Sequence, residues 1–526
     1  MITFNRLGGI QWEIMGRYAA FVTGFLAGFL AGSVLFGTEL QAQDRNILLD
    51  AYGEVRDDSF DYMRMPLSAA DRIYADIDGH HIKELMNQVV EFSRRSRADG
   101  NKYWGRMSGT KYEAMTADWL EARYRALGLE EIHRVEFPLG PQWTPRDWTL
   151  TATGDGEALS FPSAYPSPPQ YVWSSGRARN VNRPAPPSTL PGPISVEAIW
   201  VGLGTELDFA GRDVRGKAVV FQAMLAPGQM GNSSNMERVV QQAQAAGAAM
   251  TIGIWGYAGN MGIIQSTLAQ QTPGFWMGFE DGRRLRDLIA EGPVTISASL
   301  DVDWIEGLTS PSQYGTLPGT TDETIIITAH MDGWFDAALD NASGVAVMMA
   351  LAEHFSQIPR EQRRRNMIFV GTAGHHIGSP NSPYMRDEGM LENTALLLNA
   401  EHIAPAQFLP YGTELRRTAG ISPRRWWVHG SDDLLNLALD AYRTFGVSLV
   451  GPMHPSASGE IGSIDEEAPS IQLIRSPEHK HSDLDIPDLV PSVGLEAVAR
   501  AFAKIIDGVN GLSLAELQRT RQTASN

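Results

Sequence analysis

Apolar positions change period along the chain, and the changes divide it. In 76–97 (DIDGHHIKELMNQVVEFSRRSR) and 112–127 (YEAMTADWLEARYRAL) they fall at helical spacing. The runs HRVEFPL and WTLTAT then alternate or concentrate apolar residues and read as strands. From Phe161 to Pro193 the chain is dense in Pro, Ser and Gly, which predicts a boundary or a long surface loop. Between Ile194 and Gly292, the strand-like ISVEAIWVG, GKAVVFQAML and AAMTIGIWG are interleaved with the helical NMERVVQQAQAAG and DGRRLRDLIAEG. That order predicts a small αβ unit, and it contains no histidine.

Beyond Ser310 the order becomes apolar run, polar loop, helix. TIIIT (324–328) precedes AHMDGWFDAALDNASG and the helical VAVMMALAEHF; MIFV (367–370) precedes GTAGHHIG; and Leu396–Leu398 precedes Glu401 and His402. The pattern predicts an α/β fold with a mixed sheet flanked by helices. In such sheets ligands gather beyond the carboxyl ends of the strands, where these His, Asp and Glu residues fall.

The chain has 526 residues, 43% of them hydrophobic, which supports real cores and more than one domain. A formal charge of -18 opposes nonspecific nucleic-acid binding, so no nucleic-acid partner is expected. The run Arg363, Arg364 and Arg365 is expected to face solvent. There is no cysteine, so a metal must be held by imidazole, carboxylate or carbonyl groups. Residues 19–37 are uncharged and apolar, follow Arg17 and give way to polar residues near Ala42. This reads as a signal peptide for export to a periplasmic or secreted location, with an uncleaved membrane anchor as the alternative.

Candidate chemistry clusters at the strand ends. His330 and Asp340 supply the imidazole and carboxylate that a divalent metal favours, and Asp332 can fix the tautomer of His330. A solvent-exposed histidine and a helix-capping aspartate fit the same spacing. Asn341, Ser343 and Gly344 favour a close approach of loop and sheet. Adjacent His375 and His376 would direct their side chains differently, so that if one ligates the other is free to face bound water or substrate; a polar loop with incidental histidines fits the same sequence. In EHKHSDLD one histidine can close the site, while the others read as surface residues.

These segments resemble the M28 metallopeptidases carrying an inserted protease-associated domain. HMDGWFDAALDNASG, NAEHIA and HKHSDLD are similar to that family's metal-binding segments, and DVRGKAVV, AQAAGA and TPGFWMGFEDGRRL to landmarks of the inserted domain. The resemblance implies a zinc aminopeptidase-like α/β fold and the ligands His330, Asp340, His376, Glu401 and His481. Asp340 would bridge one or two zinc ions, with His375 and Asp332 in catalytic roles. It also implies an inserted domain that governs substrate access. GHHIG stands where the family has paired glutamates, so His375 replaces the base and His376 a metal-binding carboxylate. One charge fewer among the ligands implies a second metal that is weaker or absent.

The domain plan is a leader (1–42), an N-terminal part (43–155), the inserted unit (156–300), a metal-binding part (301–515) and a flexible tail (516–526). The expected activity is zinc-dependent hydrolysis of peptides or small amides from a chain end. A noncatalytic peptide-binding protein and a single-zinc glutaminyl cyclase are the alternatives.

Overall fold

The apolar runs after Ser310 become adjacent parallel strands. Thr324–His330 lies between Asn366–Thr372 and Thr394–Ala400, and Ser470–Ile474 adds a fourth parallel strand beyond Thr394–Ala400. Such continuous Ile, Leu and Val sequences suit strands covered on both faces. Ile325, Ile327, Leu396 and Leu398 accordingly enter one core, while Ile326, Leu397 and Val370 enter another on the opposite face. Antiparallel strands Arg425–His429 at one edge, and Thr309–Leu317 followed by Glu130–Pro138 at the other, complete a seven-stranded mixed sheet.

This computed structural model describes residues 57–168, 190, 192–224, 235–265, 272–411 and 414–519, all in the unit Arg56–Asn526. The predicted leader and possible anchor lie outside the described residues. Among the described residues no helix is long and apolar enough to cross a membrane.

Helices Gly79–Ala98, Ser343–Ser356 and Ser492–Asn510 join the core on one face of this sheet. Val345–Ala352 is apolar and buried without interruption, as expected for a helix enclosed by sheet and neighbouring helices. Its partners are amphipathic: Ile82, Leu85, Met86, Val89 and Val90 form the buried stripe of Gly79–Ala98, whose start is capped by Asp78 accepting from the His81 amide.

The segment after Glu130–Pro138 leaves this sheet for a second one. Eight strands run in the order Glu157–Ser160, Gln142–Gly154, Thr295–Ile305, Ile194–Trp200, Ala218–Gln222, Met250–Ile254, Gly274–Met277, Tyr165–Pro166. Trp148, Leu150, Val220, Ile252, Phe275 and Leu285 fill its core. The second sheet is wider than the predicted 156–300 unit, because Gln142–Gly154 pairs along Thr295–Ile305. Its neck is a backbone hydrogen bond from Leu139 to Leu308 (2.9 Å).

Two further expectations are corrected. Arg363 and Arg365 are buried and do not face solvent. They reach carbonyls at and just past helix ends: Arg363 donates to Phe355 and Ile358, and Arg365 to Val509 and Leu512 while pairing with Glu323 at 2.6 Å. Arginine suits this place because its fork of donors can satisfy several carbonyls left over at a helix C-terminus. The start of the predicted tail, at 516, lies within a helical turn. Ser513 and Glu516 cap the helical turn Leu514–Leu517, whose Leu517 is buried.

Candidate metal centre

Four neighbouring parallel strands deliver the predicted site residues to one end of the sheet. His330 is the last residue of its strand, His375 and His376 occupy the turn after Asn366–Thr372, Glu401 and His402 follow Thr394–Ala400, and His481 lies beyond Ser470–Ile474. Asp340 approaches from the segment that leads into helix Ser343–Ser356. The connecting loop is clamped by Arg106, a buried guanidinium that donates to the carbonyls of Met331, Asp336 and Ala337. Gly333 is required there, since a Cβ would lie 2.6 Å from the Asp340 carbonyl oxygen.

Asp340 is the centre of the cluster. Its Oδ1 lies 3.0 Å from His330 Nε2 and 2.9 Å from His402 Nε2; its Oδ2 lies 3.0 Å from His481 Nε2 and 3.6 Å from both His376 Nε2 and Lys480 Nζ. Glu401 Oε1 stands 3.7 Å from His375 Nε2 and 3.8 Å from His402 Nε2. The two oxygens of Asp340 therefore face two different groups of imidazoles, the arrangement needed by a carboxylate that bridges two ions.

Asp332 organises the rim. Its Oδ2 accepts from Ser108 Oγ (2.7 Å), from the His376 amide and from His376 Nδ1 (both 3.0 Å); its Oδ1 accepts from the His375 amide and lies 3.3 Å from His330 Nδ1. Fixing Nδ1 in this way directs the Nε2 atoms of His330 and His376 toward Asp340. Burial works against an ionised Asp332, but His376 and His330 outweigh it and hold its pKa well below the usual carboxylate range.

Charge balance fits a divalent cation. The side-chain oxygens of Asp340 and Glu401 and the Nε2 atoms of His330 and His402 are buried and form no aligned hydrogen bond, an arrangement costly for a carboxylate unless a cation compensates it. Burial opposes protonation of His330 and His376, yet Asp332 and Asp340 outweigh it and raise both pKa values. Burial holds His402 and His481 below the ordinary imidazole value. A ligating imidazole must be neutral, so metal would compete with the protons on His330 and His376. His330, Asp340, His376, Glu401, His402 and His481 can thus hold zinc-type ions.

All seven predicted site residues converge here. His375 and His376 both reach the cluster, their rings nearly perpendicular at 83°; His375 stacks on His330 with ring centroids 4.1 Å apart. Burial, His330 and His376 hold the His375 pKa well below its ordinary value. The surface reading of the other histidine of EHKHSDLD fails, since His479 is buried, and Asp485 is buried with it. Asp485 accepts from the amides of Leu339 and Asp340 and holds the bridging segment in place.

Lys480 and Glu460 carry no role in the sequence, and His402, a strand-end candidate there without an assigned function, is a direct neighbour of Asp340. Glu460 accepts from Thr372 and Asn399, and burial pushes its pKa up to about 7. Only His402 had a usable signal, an imidazole directly after Glu401 at a strand end.

The second sheet holds the closing segment. Ile264 donates to the His481 carbonyl and Asp483 to the Gly262 carbonyl (both 2.9 Å), while Trp255 Nε1 and Tyr257 OH donate to the Glu478 carbonyl (3.1 Å) and carboxylate (3.0 Å).

Comparison with known proteins bears on the fold and on residues 314–416. No curated protein matches the chain in sequence. The peptidase M28 precursor from Shewanella amazonensis SB2B is 15% identical, with a TM-score of 0.65 over 89% of this chain and 100% of that one. BSAP, a zinc aminopeptidase from Bacillus subtilis, is 15% identical with a TM-score of 0.57, covering 84% of this chain and 98% of its own. The aminopeptidase from Aneurinibacillus sp. strain AM-1 is 18% identical with a TM-score of 0.52, covering 83% and 95%. At such identities the likeness establishes the fold. Residues 314–416, which contain His330, Asp332, Asp340, His375, His376 and Glu401, match the model of peptidase family M28. The chain therefore carries a segment, 314–416, that matches peptidase family M28, on a fold similar to that of the zinc aminopeptidases.

Proposed function

We propose that the chain is an exported zinc-dependent exopeptidase, an aminopeptidase acting on peptides or small amides. The observation that carries this reading is the bridging placement of Asp340, one oxygen facing His330 and His402 and the other facing His376 and His481. Bound zinc supplies Lewis-acid polarisation of a scissile carbonyl and a nucleophile at neutral pH.

The chain's own residues supply the rest. His330, Asp340 and Glu401 would hold one ion, and Asp340, His376 and His481, whose ligand atoms lie within 4.8 Å of one another, would hold the other. Asp332 orients His376 and His330. His375, held neutral by its surroundings, has Nε2 3.7 Å from Glu401 Oε1 and Nδ1 3.4 Å from Ser379 Oγ. A neutral imidazole in this position can take a proton from the reacting water and return it to the leaving amine. The apolar leader supports export. An inserted protease-associated domain is the reading we give to the second sheet.

The test combines metal analysis of the purified chain with a panel of aminoacyl anilides and dipeptides. Zinc-dependent release of amino-terminal residues, lost on chelation and regained with zinc, is expected. Zinc binding with no hydrolysis of any member would contradict the enzyme reading and favour the peptide-binding alternative, which the replacement of both expected glutamates by histidine also favours.

A further inference from the structure

We propose that His402 is a fourth protein ligand on the His330 side, which closes that half of the centre and leaves the open coordination position on the His376–His481 half. The inference rests on the metallopeptidase reading above and deepens it.

His402 follows Glu401 in a left-handed turn (φ 50°), which brings both side chains to one place from consecutive positions. Its ring is fully buried. Nδ1 lies 3.1 Å from Ser476 Oγ, which fixes the ring and leaves Nε2 aimed at the centre. There Nε2 sits 2.9 Å from Asp340 Oδ1 and 3.8 Å from Glu401 Oε1, yet makes no aligned hydrogen bond with either. Ligands at about 2.0–2.2 Å around one tetrahedral zinc stand roughly 3.3–3.6 Å apart. His330, Asp340 and His402 offer ligand atoms that lie within 4.8 Å of one another, with His330 Nε2 3.0 Å from the same Asp340 oxygen, and Glu401 stands beside them at 3.8 Å from His402 Nε2.

Four protein ligands make a closed zinc set, whereas reactive sites keep a position free. On the other half, Asp340, His376 and His481 offer three ligands, one short of a closed set. Trp334 packs against both histidines there, with ring centroids 4.4 Å from His376 and 4.7 Å from His481. The fixed ion would organise the centre, and the exchangeable ion would meet the substrate.

Cobalt(II) titration of the full, metal-free chain tests this, with affinity read by chelator competition and coordination by visible absorption. The first cobalt should show the intense visible bands of a four-coordinate ion. His402→Ala and His402→Gln should each lower its affinity about 10- to 100-fold, and weaken those bands, while leaving the second ion unchanged. Glutamine keeps a hydrogen-bond donor for Asp340, so a His402→Gln protein that binds the first cobalt like wild type would overturn the proposal. Weak, six-coordinate absorption of the first ion in wild type would overturn it as well, whether or not the alanine variant folds. A wild type that binds no metal at all would instead remove the metallopeptidase reading beneath it.

Discussion

Lys480 places its ammonium group 3.6 Å from Asp340 Oδ2, on the side of the bridging carboxylate that faces His376 and His481. A resident cation there competes with a metal ion for the same oxygen. The two halves of the centre are therefore unequal: the His330 half is rich in carboxylate, and the His481 half carries an imidazole in place of an expected glutamate and a lysine beside it.

Lys480→Met should strengthen the weaker half. Removing one positive charge in a site of low effective dielectric is expected to raise affinity for the second zinc by roughly tenfold or more. The first zinc should change little. Isothermal titration of the metal-free protein checks both values, and an unchanged second affinity would show that Lys480 does not compete.

Asp332→Asn should weaken metal binding without removing a ligand. The substitution discharges the carboxylate that accepts from Ser108, the His375 and His376 amides and His376 Nδ1. Loss of such an orienting group typically costs about 10- to 100-fold in metal affinity. Chelator competition reads the effect, and a loss below threefold would count against the orienting role.

The second sheet should tune the His481 half. Tyr257→Phe removes the hydrogen bond to Glu478, and Gly262→Val would bring a Cβ within 2.5 Å of Tyr165, beside the pairing with Asp483. Both changes should reduce occupancy by the second zinc and spare the first, the glycine substitution more severely. Zinc content after dialysis at graded free-zinc levels separates the two, and equal loss from both halves would point to general unfolding instead.

Stability should fall in acid partly through Asp57. Burial works to raise its pKa, but Lys83 Nζ at 2.7 Å and the Ser492 amide at 3.0 Å outweigh this and lower it. A lowered folded pKa gives stability that is present above the unfolded value, near 4, and is lost as pH falls through the folded value. Asp57→Asn should therefore lower the unfolding midpoint at pH 7, with the difference from wild type shrinking below about pH 4. A difference that stays constant down to pH 2 would contradict this.

What the sequence made legible follows from its physics. Parallel strands buried on both faces need unbroken apolar runs, so TIIIT and MIFV announced themselves, and their carboxyl ends marked where His330, His375, His376 and Glu401 would meet. Long-range pairing leaves no such mark. Gln142–Gly154 has the same alternation whichever sheet it joins, so its place beside Thr295–Ile305 was not readable. Charge alone misled for Arg363 and Arg365, because three adjacent arginines look solvated until the helix-end carbonyls they satisfy are brought beside them. Lys480 and His402 owe their positions to local turns, His481 and His402 both having left-handed backbones. Spacing in one dimension does not encode which way such a turn aims a side chain.

The most direct test of the central claim, that this buried cluster is a zinc centre, is an anomalous difference map measured at the zinc edge from crystals of the zinc-loaded protein. The strongest peak is expected within coordination reach of His330, Asp340 and Glu401, and a weaker one beside His376 and His481. A map with no peak among these residues would contradict it.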